Sequence, residues 1–398
     1  MFTQLALGLS LMGSASVTHE HSKAEALAEL AWQEAEQQAK LDPRHQADID
    51  ADTKLGKNYT EQVEKEFKLS QNAAYIERVQ RIGAEIAAIA RKNQVTVTWG
   101  DKRLNPFDYT FKVVEDKDIN AFSLPGGFIY VYEGLIQFAE TDDELAGVLA
   151  HEVAHASFRH VATLQRESAK LQSLTLPLIL ISIFSGSQTL SGVGTLASLI
   201  GIAKGSGWSV AAEEAADYGG LQYMLYSEYQ PVGILTFIER LAKEQRFMDR
   251  IDMGIFRTHP PSRERAERLV RHLGERNIPL RRSMASLAYR VVLRDAENGQ
   301  VEAVFDRRKL ITFAGPDARR RAEEAALKLN EFFDQVPDLF DVSVRSGNVI
   351  VGRRQELFRV RPEDAAAAKV STEELTRQAS AAIKRSLYLL AYRVWDGR

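Results

Sequence analysis

His151-Glu152-Val153-Ala154-His155 is the stretch on which the reading of this chain turns. Histidines at this spacing lie a little over one turn apart on an α-helix, so both imidazoles project from one face and can grip a single metal ion. Glu152 falls about 100° round the helix, beside the ligands, where its carboxylate can take a proton from a metal-bound water. The spacing is that of a zinc hydrolase. The competing reading is a solvated helix with two incidental histidines.

Such a site needs a third protein ligand and one open position for water. Downstream, Glu213-Glu214-Ala215-Ala216-Asp217-Tyr218-Gly219 reads as a second helix, with Glu213 and Asp217 on a shared face. Glu213 can complete a set of two imidazoles and one carboxylate. Asp217 can accept the free ring N–H of a ligating histidine, which fixes its tautomer. Glu214 points elsewhere, toward solvent. The chain has no cysteine, so thiolate ligands and disulfides are excluded and a metal site must be built from histidines and carboxylates.

The first motif sits on a well-founded helix. Thr141-Asp142-Asp143-Glu144 has capping-box form, and Leu145, Val148, Leu149 and Val153 supply core contacts. His160 lies about half a turn out of phase with His155 and reads as a buried, hydrogen-bonded histidine rather than a ligand of the same ion. Before the motif, Tyr75, Val79, Ile82, Ile86 and Ile89 form an apolar stripe at helical spacing. Tyr109 to Val114 alternates as a strand, and 119–132 reads as a strand pair bent at Pro125-Gly126-Gly127. In zinc endopeptidases an edge strand beside the metal pairs with the extended substrate, backbone to backbone.

These motifs carry a resemblance. With Asn120-Ala121-Phe122-Ser123-Leu124-Pro125-Gly126-Gly127 and Thr258-His259-Pro260, the chain resembles the HtpX and CAAX-prenyl-protease family of gluzincin zinc metallopeptidases, in its soluble, BepA-like periplasmic branch. The likeness runs from roughly Leu55 to Leu273. It implies one Zn2+ per chain held by His151, His155 and Glu213, with Glu152 as general base and Asp217 as the carboxylate behind a ligand. It places Asn120, Ala121, Phe122 and Ser123 along the substrate cleft. It places His259 near the metal, either stabilising the oxyanion or occupying the open position in a resting state.

The rest of the chain sets the frame. The sequence has 398 residues, with Lys+Arg 51 against Asp+Glu 54 and a net charge of −3, so no general attraction to nucleic acid is implied. Residues 1–21, with the apolar run LALGLSLM at 5–12 and no preceding Lys or Arg, read as the remnant of an export signal or a disordered tail. His19-Glu20-His21 falls in that tail, where no preorganised metal site is expected. Residues 22–54 read as a helical extension, solvated over 22–46. Residues 174–184 and 192–203 are strongly apolar, yet neither reaches the ~20 residues of a spanning helix. They suit core helices or a flap over the cleft, with a hairpin touching lipid as the alternative. Arg263, Arg265, Arg268 and Arg271 alternate with Glu264 and Glu267 on what reads as a solvated helix face.

A boundary near Ile278-Pro279 separates a metallopeptidase domain, 55–278, from an α+β accessory domain, 279–398. In the latter, Glu297-Asn298-Gly299 turns between two strands and a helix spans 316–333. Strands follow at 342–344 and 348–360 around Ser346-Gly347, and a helix over 371–390 is capped by Ser371. The expected class is α+β: a mainly helical zincin-type domain with a small edge sheet, plus this module. The expected activity is zinc-dependent endopeptidase action on unfolded or misassembled proteins. Envelope quality control, outside the cytoplasm and with possible membrane or envelope-complex association, is what the resemblance adds. The alternatives are a chaperone-like binder with a plugged site and a membrane-associated processing protease.

Overall fold

The computed structural model describes residues 42–169, 208–247 and 259–395. The first 41 residues, with His19-Glu20-His21, and both apolar runs between 174 and 203 lie outside the described residues, as does Thr258.

The part before the expected boundary near Ile278 is built in layers around one small sheet. Helix α1 (Pro43–Glu66) is followed by α2 (Ala73–Lys92), then strands β1 (Thr110–Val114), β2 (Ala121–Leu124) and β3 (Phe128–Tyr132). β3 lies in the middle, parallel to β1 and antiparallel to β2. The sheet is buried on both faces, and strand alternation decides which residue goes where. Val113, Ala121, Ile129 and Val131 face α2 and the metal-motif helix, meeting Val79, Ile82 and Ile86. Val114, Phe122, Leu124, Tyr130 and Tyr132 face the other way, onto Tyr59 and Val63 of α1. The β2–β3 turn occurs where Pro125-Gly126-Gly127 predicts it. Gly126 has φ +79°, and a Cβ there would stand 2.6 Å from the Thr53 backbone, so glycine is required twice over.

α1 differs from its expectation. Of the solvated helix expected over 22–46, residues 22–41 lie outside the described residues; from Pro43 a helix capped by Asp42 runs on with one face in the core. Leu55, Tyr59 and Val63 recur every fourth residue and form that face. The border expected at 54/55 falls inside this helix.

α1 is also tied down by charge. Arg159 is 4 % exposed at its side chain and grips Asp52 through Nε (2.6 Å) and Nη2 (3.0 Å). Its Nη1 reaches Asp101 at 3.0 Å, and Arg103 joins Asp101 to Asp48 at 2.6 Å each. Burial pushes the Asp101 carboxyl up, but Arg103 and Arg159 outweigh it and hold it well below the ordinary range; Asp48 is lowered too, chiefly by Arg103. Carboxyls depressed in the fold stabilise it above their unfolded value near 3.8 and lose that contribution as pH falls through the folded value. Urea midpoints should therefore fall most steeply below about pH 4. A midpoint flat between pH 6 and 3 would show that this cluster contributes nothing.

A short helix α3 (Glu133–Phe138) leads to α4 (Asp142–Ser157), α5 (His160–Ala169), α6 (Trp208–Met224), α7 (Gly233–Phe247) and α8 (Arg263–Glu275). α4 is the hub, buried from Glu144 to Ser157 and packed by α2, α6 and α7. α6 approaches it closely at Gly220, where a Cβ would lie 3.0 Å from the backbone N of His151.

The C-terminal module follows a one-turn helix, α9 (Arg282–Ala285). Strands β4 (Val292–Asp295), β5 (Val301–Phe305) and β6 (Arg308–Phe313) precede α10 (Ala318–Asp334). Strands β7 (Val342–Arg345), β8 (Val349–Gly352) and β9 (Gln355–Arg359) precede α11 (Pro362–Ala368) and α12 (Thr372–Leu387). Each strand trio is an antiparallel sheet in sequence order, and both share one core that includes Phe305, Phe313, Leu329, Phe333, Ile350 and Ile383. The turn at Asn298-Gly299 is present. Two further turns break runs that had read as single strands: Asp306-Arg307 starts β6, and Arg353-Arg354 divides 348–360 into β8 and β9.

The module is bolted to the part that precedes it. Arg282 and Tyr289 both bond Glu239 of α7, Arg282 at 2.7 Å and Tyr289 at 2.5 Å, and all three are buried. Thr141 Oγ1 donates to the Ala285 carbonyl, and the Ala288 N–H donates to Glu140 at 2.7 Å.

Candidate active site

α4 begins where the threonine cap was expected, with Thr141 Oγ1 accepting the Glu144 N–H at 3.2 Å. The other half of the box differs. Glu144 accepts the N–H of Glu140 (3.0 Å), one residue before the cap, and its fully buried carboxylate pairs with Arg240. Burial nonetheless pushes Glu144 up to about 7.

One face of α4 presents His151 and His155, and α6 brings Glu213 against them. His155 Nε2 lies 3.0 Å from His151 Nε2, and Glu213 oxygens lie 3.5 Å from His151 Nε2 and 3.3 Å from His155 Nε2. His259, from the segment before α8, enters the same cluster. Its Nδ1 is 3.2 Å from His151 Nε2 and 2.9 Å from Glu213 Oε1. These four residues are buried, and their donor atoms all lie within 4.8 Å of one another.

Four such donors fit one metal ion. A tetrahedral zinc with ligands at ~2.0–2.1 Å sets them roughly 3.3 Å apart. Bare imidazoles and a carboxylate crowded at these separations cannot all satisfy one another by hydrogen bonds, whereas a central cation satisfies every lone pair at once. His160 stands outside the set, buried as expected, and burial drives it well below an ordinary histidine.

Glu152 is buried beside the cluster, with Oε1 3.4 Å from His259 Nε2. Asp217 Oδ1 stands 2.9 Å from His151 Nδ1, the position from which it was expected to accept the ring N–H. The approach is off the N–H axis, and His151 Nδ1 has no well-aligned hydrogen bond. Burial opposes the charged form of His151, yet Asp217 and Glu213 outweigh it and push this histidine up to about 9 when no cation competes.

The sequence missed Arg265. It was placed on a solvated face, but it is buried, with Nε and Nη2 each 2.7 Å from Asp217 and Nη1 3.0 Å from Glu213. It cannot face water, because a buried pair of carboxylates there requires a buried counter-charge. Burial raises both carboxyls; Arg265 is among the charges that hold Asp217 low and, with His259, Glu213 far lower. Only its place among four spaced arginines marked it, and that pattern did not separate it from its neighbours. Glu214, expected to face solvent alone, pairs with half-buried Arg268.

β2 is the sheet edge and packs on α4, so Ala121, Phe122 and Ser123 lie on the strand expected to guide substrate. Asn120 precedes it, its carbonyl accepting the Tyr132 N–H at 3.0 Å. All four residues are buried. Next to Glu152, a small apolar pocket is walled by Val148 and by Ile234, Phe237, Ile238 and Leu241.

Residues 77–273 match peptidase family M48, and residues 302–389 match a domain of unknown function, DUF8459. The chain is 28 % identical over 221 residues to the beta-barrel assembly-enhancing protease of Yersinia pestis, covering 53 % of this chain and 42 % of that one. It is 30 % identical over 158 residues to the protein of that name from Escherichia coli, covering 38 % and 32 %. Against the mitochondrial metalloendopeptidase OMA1 of Saccharomyces cerevisiae it is 33 % identical over 161 residues, covering 40 % and 44 %. The chain thus spans less than half the length of each of these relatives. Residues 77–273, about half of the chain, are a metallopeptidase domain of peptidase family M48.

Proposed function

We propose that the chain is a zinc-dependent endopeptidase that hydrolyses unfolded or misassembled proteins. The observation that carries this is the convergence of His151, His155, Glu213 and His259 beside an intact Glu152. His151, His155 and Glu213 would hold one zinc ion, which supplies Lewis-acid chemistry toward a peptide carbonyl and a water. Glu152 takes the proton of the attacking water and returns it to the leaving amine nitrogen. Asp217 and Arg265 hold His151 and Glu213 in place from behind. β2 offers main-chain groups to an extended peptide, which suits broad sequence tolerance.

His259 favours a second reading of the same site. Its Nδ1 occupies the direction a fourth ligand would take, and its Nε2 faces the base. A set of four protein donors leaves no open position, so this arrangement is a latent, resting one, and His259 must withdraw before a substrate enters. An intact Glu152 argues against a purely structural or chaperone-like zinc, which needs no base. The name of the bacterial relatives, beta-barrel assembly-enhancing protease, supports protein substrates met in β-barrel assembly, and envelope quality control outside the cytoplasm is the role proposed with it. Among the described residues no helix is long and apolar enough to cross a membrane.

The test is zinc content together with casein hydrolysis, with and without a chelator. Wild type and His259→Ala are both measured. One zinc per chain, and cleavage abolished by chelation and restored by zinc, is the expected result. A faster His259→Ala establishes the latent reading, and a slower one the oxyanion role. Zinc-loaded protein of both kinds that leaves casein intact overturns the proposal.

A further inference from the structure

We propose that His160 is a positioning residue that sets the tautomer of His155, so that Nε2 of His155 carries the lone pair turned toward the metal. This rests on the metal set described above and concerns a residue outside it.

On an unbroken helix His160 would point well away from His155, five residues at about 100° each. The helix is broken. α4 ends at Ser157, and Arg159 adopts φ +52°, a left-handed conformation rare for a residue with a side chain. That one residue swings the chain back, and His160 Nδ1 comes to 2.8 Å from His155 Nδ1. Arg159 is kept there by its buried guanidinium on Asp52 and Asp101, and the Asp101 N–H bonds the Phe158 carbonyl at 2.7 Å.

The proton positions then follow in order. His160 Nε2 is 3.1 Å from the carbonyl oxygen of Trp99, which can only accept, so Nε2 carries the hydrogen. His160 is wholly buried, and its nitrogens meet a carbonyl and a second imidazole rather than a carboxylate; it is neutral. Its Nδ1 is therefore bare and must accept. His155 supplies the hydrogen from its own Nδ1, which leaves Nε2 free to face His151 and Glu213. The two ligand histidines are thus backed differently, His151 by the Asp217 carboxylate and His155 by a neutral ring.

The experiment uses the full chain labelled with 15N-histidine, with zinc affinity measured by chelator competition. In zinc-loaded wild type, His155 should be protonated at Nδ1 and metal-bound through Nε2. His160→Phe, which keeps a ring but no acceptor, should bind zinc about 10–100-fold more weakly. His160→Asn, whose carbonyl can take the His155 proton, should recover most of that loss. Far-UV circular dichroism of the metal-free forms separates lost affinity from lost fold. A wild-type spectrum with His155 bound through Nδ1 overturns the proposal, as does a folded His160→Phe that holds zinc as tightly as wild type. Wild type that binds no zinc would instead overturn the metal set itself.

Discussion

Glu152→Gln should retain its zinc and lose about 10²–10⁴-fold in casein hydrolysis. The amide matches the carboxylate in size and leaves His151, His155 and Glu213 untouched, so binding and chemistry separate. It has no basic oxygen to receive a proton from water, and among the described residues the buried site offers no carboxylate in the same relation to the metal set: Glu213 would be a ligand, and Asp217 is held by Arg265. His151→Ala should lose metal and activity together. A Glu152→Gln protein cutting casein at the wild-type rate would place the base elsewhere.

Arg159→Ala should destabilise the protein by about 3–5 kcal/mol, because it strands the buried Asp52 carboxylate without its counter-charge and leaves Asp101 to Arg103 alone. Asp52 and Asp101 are each 7 % exposed at the side chain, and Arg159 bonds both. The loss should be read by urea unfolding at neutral pH and should shrink at pH 3, where protonated carboxyls no longer need the partner. Arg159→Lys, with one point charge in place of a planar fork, should fall in between. A change below about 1 kcal/mol at pH 7 would mean that solvent reaches the cluster after all.

What the sequence made legible follows from which signals are local. Spacing on a helix put His151 and His155 on one face, and a similar interval put Glu213 and Asp217 on another. Pro125-Gly126-Gly127 and Asn298-Gly299 fixed turns because glycine at positive φ announces itself. The turns at Asp306-Arg307 and Arg353-Arg354 put side-chain-bearing, charged residues in the left-handed region, so nothing in their chemistry flagged β6 or the β8–β9 hairpin. Arg265 and Arg159 escaped for a related reason. An arginine is buried or exposed according to the carboxylates the fold brings to it, and those lie 48 and 107 positions away. The fourth donor of the metal cluster was likewise beyond periodicity, since His259 reaches it from a different element.

α7 is a wall shared between two rooms. Ile234, Phe237, Ile238 and Leu241 face the pocket beside the base, while Glu239 and Lys243 reach across to Arg282, Tyr289 and the Leu389 carbonyl of the C-terminal module. The same module also grips the entry to α4, at its cap Thr141 and at Glu140 before it. A cargo or neighbour that leaned on the far end of the chain would therefore tilt both the floor and one side of the cleft, so pressure applied far from the histidines becomes a change in the width available to a substrate side chain.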